Sequence, residues 1–287
     1  MMLEHIWADL KGPLLNKSIY GLRFFIIFVD EKSCFTTVYR ELQKADAYSA
    51  FLVYDARSER VTRQKIINLH VDGGGEFMSN DFRVHCRNKG IELFGTQPYS
   101  PEMNGIAERM MRTVIEHASA MLWTAHLPIG FWAAAVKTSV FLTNRSPSSA
   151  LGSTPFEAYF ARKQNLGFLR VWGCRAVAHV PDQLRTKTDW TSKSSPHCIF
   201  IGYSDTENLY ELWDVQKGSL LRKRDVVFWE HEFGHPDYLL TALPHGVSIF
   251  GGVAGKLVSH LDNSKNVPKQ TMSDQPDQPS IPLSPIP

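Results

Sequence analysis

Three carboxylates stand out among the 29 acidic residues of this 287-residue chain because of what surrounds them. Asp9 lies inside the strand-like run His5-Ile-Trp-Ala-Asp9-Leu10. A carboxylate within a strand is costly to bury unless something pairs with it, and a divalent cation is one such partner. Asp72 ends the run Ile66-Ile-Asn-Leu-His-Val71. Gly73, Gly74 and Gly75 follow it, and glycines there let the backbone turn tightly and leave room beside the acid. Glu108 comes just after Tyr99-Ser-Pro-Glu-Met-Asn-Gly105, in the first turn of what reads as a long helix, with Asn104 as its candidate cap. Magnesium prefers oxygen ligands and keeps several waters, so a few carboxylates suffice to hold it. Two such ions about 3.5–4 Å apart can activate an attacking oxygen and stabilise a leaving one in phosphodiester chemistry. Spacing alone does not select these acids: 35 residues separate Asp72 from Glu108, and among 29 acids some pair at that spacing arises by chance.

The elements that must bring them together can be read from periodicity. Residues 3–10, 22–29 and 34–40 are strand-like, with Asp30-Glu31-Lys32-Ser33 as a hairpin turn. On alternation, His5, Trp7 and Asp9 share one face of the first strand while Ile6, Ala8 and Leu10 share the other. Residues 45–63 read as a helix, 65–71 as a short strand ending at Asp72, and 79–89 as a helix closed by Gly90. A strand at 91–95 leads through a proline-bearing loop, 97–103, into a long helix at 104–125. Pro128 opens another helix running to about Arg145. An antiparallel start followed by alternating strands and helices predicts an α/β fold, a mixed five-stranded sheet with helices on its faces. From about Arg170 to Glu230 the texture changes to short β-rich runs, RVWGCRAVAHV, HCIFIGY, LYELWDV and RDVVFW, which predict a small β-barrel. Residues 259–287 contain no aromatic and are rich in Pro, Ser, Gln and Asp, the composition of a disordered tail.

Bulk properties narrow the class. Hydrophobic residues make up 43% of the chain, enough for a real core. The net charge is only +2, so any nucleic-acid surface must be a local patch. Cys34, Cys86, Cys174 and Cys198 are scattered without a C-x-x-C pair, which argues against a disulfide framework and against a self-contained zinc site. No run approaches the roughly 18 apolar residues of a membrane span. The N-terminal residues lack a signal-peptide pattern, so the expectation is a soluble, non-secreted protein.

Taken in order, the motifs resemble the retroviral-type integrase superfamily, and most closely its copia-type (Ty1/copia) retrotransposon group. The resemblance spans Leu3 to about Glu230. His5-Ile-Trp-Ala-Asp9-Leu-Lys-Gly12-Pro13 resembles the first-acid strand, and His70-Val-Asp72-Gly-Gly-Gly75-Glu76-Phe77 the second-acid segment. Ser100-Pro101-Glu-Met-Asn104-Gly105-Ile-Ala-Glu108-Arg109 resembles the loop and helix start that bear the third acid. Phe131-Trp132-Ala-Ala-Ala135, Leu142-Thr-Asn144-Arg145-Ser-Pro147-Ser148 and Thr154-Pro155-Phe156-Glu157 match copia-type extensions. Leu169 to Cys174, Ile199 to Tyr203 and Arg224 to Phe228 resemble the SH3-like barrel that follows such cores.

The resemblance implies an RNase H-like catalytic core with its helical extension over residues 1–163, an SH3-like barrel over 164–232 and a low-complexity tail over 233–287. It implies that Asp9, Asp72 and Glu108 are both the catalytic acids and the metal ligands, binding Mg2+ (with Mn2+ as substitute), and that Asp9 bridges two ions. The implied activity is polynucleotidyl transfer, in which water or a DNA 3′-hydroxyl attacks a phosphodiester. The implied partners are element-end and target DNA and further copies of the chain. No membrane is implied, and the implied place of action is the nucleus, with cytoplasmic particle assembly. Asn104, Arg109 and Arg112 are the candidate DNA contacts, although Arg112 equally suits an i,i+4 pair with Glu108. Among competing acids, Asp30 reads better as a hairpin turn, Glu102 as a solvated loop residue, and Glu76 as either a neighbour of the site or a cap. Arg162, Lys163, Arg170, Arg175, Arg185, Lys187, Lys193 and the run Arg222-Lys223-Arg224 suit either phosphate contacts or a solvated face. Trp172, Trp190, Trp213 and Trp229 read as barrel core before stacking platforms. Gly73 stands where the family usually carries Asn, and the family's upstream zinc module is missing. Those departures support an alternative reading, a truncated, catalytically inactive remnant that only binds nucleic acid.

Overall fold

The computed structural model describes residues 1–41, 43–72, 77, 79–95, 104–179, 194–204 and 209–233. Gly73 to Glu76, the loop with Glu102, the residues Arg185, Lys187, Trp190 and Lys193, and the expected tail lie outside the described residues.

The first sheet is built from β1 (His5–Lys11), β2 (Phe24–Asp30), β3 (Thr36–Glu41), β4 (Asn68–Val71) and β5 (Glu92–Gly95). Its strand order is β3-β2-β1-β4-β5. The first three strands form an antiparallel meander, and β4 and β5 lie parallel to β1. Helices α1 (Ala47–Thr62), α2 (Asn80–Lys89), α3 (Gly105–Thr124) and α4 (Trp132–Thr143) intervene. This is the mixed five-stranded, RNase H-like arrangement that the sequence predicts.

Alternation on the central strands divides the core in two. Phe25, Ile27 and Val29 face α3 and α4, whereas Ile6, Ala8, Ile26 and Phe28 face α1. Because both faces of β2 are covered, it reads as an unbroken apolar run. Asp30 is fully buried at its end, where one carboxylate oxygen accepts from the Leu3 amide and the other from the Ser33 amide and hydroxyl. That is the hairpin role expected of it. Ser79 caps α2 by accepting from the Phe82 amide, and Gly90 closes the helix in the left-handed region.

Two elements were not anticipated. Helix α5 (Pro155–Phe160) starts with a capping box between Thr154 and Glu157 and a proline in its first turn. Strand β9 is described with the second sheet below. The reach of Pro128's helix is also modified, since Ile129–Phe131 form a turn of 3-10 helix before α4 begins.

Helix α4 has almost no solvent side: Trp132 to Val136 and Thr138 to Val140 are all buried. It lies between α3, the edge strand β3 and the second sheet. Its end also closes the sheet edge. The Asn144 side chain accepts from the Thr36 amide at 2.9 Å and donates to the Thr36 carbonyl at 2.7 Å, standing in for a further strand.

The second sheet is antiparallel throughout, in the order β10-β6-β7-β8-β9. Its strands are β6 (Cys174–His179), β7 (Ser194–Tyr203), β8 (Tyr210–Asp214), β9 (Ser219–Lys223) and β10 (Val226–Phe233). Phe200, Leu212, Cys174, Ala176 and Ala178 fill its interior. Ile199, Ile201, Trp213 and Val215 instead join the core built by α3 and α4. The Ile201 carbonyl accepts from both the Thr138 hydroxyl and the Trp172 indole, and Lys137 pairs with the buried Glu211 at 3.2 Å. Trp172 and Trp213 are core residues, but of the core shared with α3 and α4 and not of the barrel's own, and Trp229 is only half-buried.

Gly173 makes this seam tight. Its φ is +82°, and a Cβ there would run into the Cβ of Ala125 at the end of α3. Gly173→Ala is therefore expected to cost about 2–4 kcal/mol, combining left-handed strain with overpacking. Urea unfolding followed by tryptophan fluorescence checks this, and a midpoint matching the unsubstituted protein would refute it.

Candidate metal centre

The register of β1 and β4 places the first two acids side by side. Trp7 pairs with His70 and Ala8 with Val71, so the next step of this parallel pair brings Asp9 abreast of Asp72 on strands about 4.8 Å apart. Alternation puts Asp9 on the face of Trp7 and Asp72 on the face of His70. The rings show that these faces coincide: Trp7 stacks on His70 at 3.9 Å, and His70 stacks on Phe94 of β5 at 4.9 Å. His5 Nδ1 meets His70 Nε2 at 3.0 Å, and the Trp7 indole donates to Glu31. A flat ring ladder thus runs across β1, β4 and β5 next to the acids. Trp7 and His70 each sit two residues before an acid, and parallel pairing of their strands was the missing signal for the ladder. Burial, and then the charge of His5, hold the His70 imidazole below its ordinary range.

The third acid arrives on α3. Asn104, which is 1% exposed, donates from Nδ2 to the Ala8 carbonyl at 3.1 Å. Its side chain does not cap the helix. It ties the start of α3 to the residue before Asp9, so the expected cap is a tether between helix and strand. Glu108 lies one turn into α3, exposed, where the helix dipole favours an acid. Arg109 and Arg112 are exposed on the same helix. No ion pair joins Arg112 to Glu108 among the described residues.

The electrostatics of Asp9 record the convergence. Burial raises its carboxyl from 3.8 to about 6, and the charges of Asp72 and then Glu108 push in the same direction. The Leu10 amide and Lys11 oppose the rise and are outweighed. In kind, three mutually repelling carboxylates fit a hard divalent cation, which prefers oxygen donors and would relieve the repulsion. In distance they are not closed around one point: among the described residues, no three His, Cys, Asp or Glu side chains are near enough to hold an ion together.

Of the other basic candidates, Arg170 pairs with Glu230 and Arg175 with Glu232, and the Arg175 guanidinium lies 4.8 Å from the centre of the Trp229 ring. These cations are engaged within the barrel. Among the described residues, no helix is long and apolar enough to cross a membrane.

An RNase H-like mixed sheet with one acid in its central strand and another just past the neighbouring parallel strand, followed by a second, all-antiparallel sheet, defines the class of protein. Residues 174–238 match the retroviral polymerase SH3-like domain family. The chain is 39% identical over 266 residues to the retrovirus-related Pol polyprotein from transposon TNT 1-94 of Nicotiana tabacum, covering 92% of this chain and 19% of that protein. It is 31% identical over 271 residues to the corresponding polyprotein from transposon RE2 of Arabidopsis thaliana, covering 94% of this chain and 17% of that one. The chain therefore spans less than a fifth of the length of these relatives. Among solved structures, the HTLV-2 integrase catalytic core domain in complex with magnesium aligns at a TM-score of 0.42 and 17% identity, covering 54% of this chain and 95% of that one. So slight a likeness adds nothing to the strand order. The chain belongs to the Pol polyproteins of copia-type retrotransposons.

A carboxyl whose folded value is raised destabilises the fold as pH rises from its unfolded value of 3.8 towards about 6, because the folded state holds the proton longer. Asp9→Asn removes that penalty. At pH 7.5 it is expected to be more stable than the unsubstituted protein by about 1–2 kcal/mol, after allowing for partial solvent screening. The difference should shrink towards zero near pH 4. Thermal melts across this range check it, and a gap that does not change with pH would refute it.

Proposed function

We propose that the chain is the catalytic segment of a retrotransposon integrase, a divalent-metal-dependent polynucleotidyl transferase that cuts and joins DNA. The observation that carries this reading is the alignment of Asp9 with Asp72, with the charge of Glu108 reaching the same carboxyl. Asp9, Asp72 and Glu108 would hold Mg2+, or Mn2+ in its place. When bound, such ions activate an attacking oxygen and neutralise charge building on the phosphate.

The chain's own residues supply placement. Asp9 lies within β1, Asp72 directly follows the paired end of β4, and Asn104 ties the start of the helix that carries Glu108 to β1. The raised value of Asp9 means that its carboxylate gains charge stabilisation when a cation arrives, so ion binding and deprotonation are coupled. Arg109 and Arg112, exposed on the same helix as Glu108, would contact DNA phosphates. We further propose that it acts on element ends and target DNA as a multimer, in the nucleus after cytoplasmic particle assembly. Domain limits at 163 and 232 remain part of this proposal.

Gly73, in place of the family's usual Asn, favours a second reading, a remnant that binds nucleic acid without turnover.

A strand-transfer assay with matched element-end DNA and Mg2+ or Mn2+ separates the two. Integrase activity should fall at least a hundredfold (about 3 kcal/mol) in Asp72→Asn and in Glu108→Gln, with DNA binding retained. Turnover that survives both substitutions sinks the three-acid mechanism. DNA binding with no metal-dependent product from the unsubstituted chain establishes the remnant instead.

A further inference from the structure

A cavity of about 600 Å3 opens away from the acids, where β3, α1, the end of α4, α5 and the barrel tyrosines Tyr203 and Tyr210 meet. Ligand sites usually fall within about 300–1,000 Å3. Five cations line it, and the described lining residues include no Asp or Glu. Two of the five are engaged elsewhere. Lys137 pairs with Glu211, and the Arg40 guanidinium lies 5.5 Å from the centre of the Tyr20 ring.

The remaining three, Arg57, Arg145 and Arg162, come from three different segments and pair with no carboxylate among the described residues. Arg145 is the most constrained. Its guanidinium carbon sits 3.3 Å from the Phe141 ring centre and 5.1 Å from that of Phe156, and Nη1 donates to the Phe141 carbonyl. Its Nε is buried with no hydrogen-bond partner. Arg162 lies 5.7 Å from the same Phe156 ring, so one aromatic platform serves two guanidinium groups. Burial lowers the Arg145 guanidinium to about 10, which still leaves it charged at neutral pH. A cation drawn from water without a counter-charge is costly, and so is an unused donor. Gln164 adds the opposite need. Gln164 also lines the cavity, and its Oε1 is buried without a partner, an acceptor that lacks a donor.

We propose that this cavity binds a nucleotide-sized phosphate ester, with the phosphate held by Arg57, Arg145 and Arg162 and a ligand hydroxyl or N–H donating to Gln164. A tetrahedral phosphate offers oxygens in several directions and suits guanidinium groups approaching from three segments, whereas a carboxylate offers two in one plane. A bare anion would satisfy Arg145 Nε and leave Gln164 wanting. Walls on several sides suit a compact ligand, while a continuous nucleic-acid strand requires an open groove. The inference does not depend on the acids or on their chemistry.

The test titrates the full chain by calorimetry in EDTA, so that no divalent ion contributes. The probes are ATP, inorganic tripolyphosphate, citrate and a short oligo-dT strand. ATP is expected to bind saturably, and the double reversal Arg57→Glu with Arg162→Glu, both at exposed positions, should weaken it by about tenfold or more. Arg60→Glu, on the same helix but outside the lining, should change it by no more than about twofold. Gln164→Leu should weaken ATP while sparing tripolyphosphate. Saturable binding of ATP lost only with the lining residues supports the site. It is overturned by the absence of saturable binding, by equal loss in Arg60→Glu, by citrate binding as well as tripolyphosphate, or by binding of oligo-dT alone. ATP binding that is indifferent to Gln164→Leu overturns the ester assignment.

Discussion

The parallel pairing of β1 with β4 is the constraint on which the site depends. Backbone hydrogen bonds fix the two strands, and a shift of one residue would turn Asp9 and Asp72 to opposite faces. The register is held by burial, since Ile6 and Ala8 face one core while Trp7 packs against the other. The stacked rings of Trp7, His70 and Phe94 fasten the same face across three strands. Burying a carboxylate beside like charges is unfavourable, and the raised value of Asp9 records that cost, burial first and the charges of Asp72 and Glu108 after it. The fold bears it because the apolar contacts that set the register are far more numerous than the charges that resist it.

Helix α3 depends on that register in turn. Asn104 reaches the carbonyl of Ala8, one residue before the first acid, so the helix start follows any movement of β1. The apolar stripe Ala107, Met111, Val114, Ala118 and Leu122 holds the rest of the helix against the sheet and α4. Position and approach of the third acid thus come from one polar tether and one hydrophobic seam, neither of which belongs to the acid itself.

Much of this was legible in the sequence. Periodicity and caps gave every strand of the first sheet and four of its helices, because Ser79, Gly90 and the β-branched runs act locally. Alternation gave the shared face of His5, Trp7 and Asp9. The turn role of Asp30 followed from its place between two strands. What failed depended on distant partners. Asn104 reads as a cap because Asn commonly caps helices, yet its partner lies 96 residues earlier in the chain. Helix α5 was missed although Thr154, Pro155 and Glu157 carry a local start signal, because the helix is only six residues long. Strand β9 was missed because Ser219–Lys223 is short and its side chains are only partly covered. The basic residues Arg170 and Arg175 invite phosphate in the sequence, whereas Glu230 and Glu232 on the last barrel strand already answer them. Charge pairing between segments 57–60 residues apart has no local signature.

Helix α4 touches α3 and the edge strand on one side and the barrel on another, and nearly every side chain it carries is apolar or hydrogen-bonded inside. Neither half of the molecule therefore has a finished surface by itself. A break in the connecting stretch would bare Trp132, Val136 and Val140 together with Ile201 and Trp213, a patch prone to self-association. Genetic exchange that swapped the barrel for a foreign one would have to carry the facing helix with it, so the two parts are expected to travel through evolution as a single cassette.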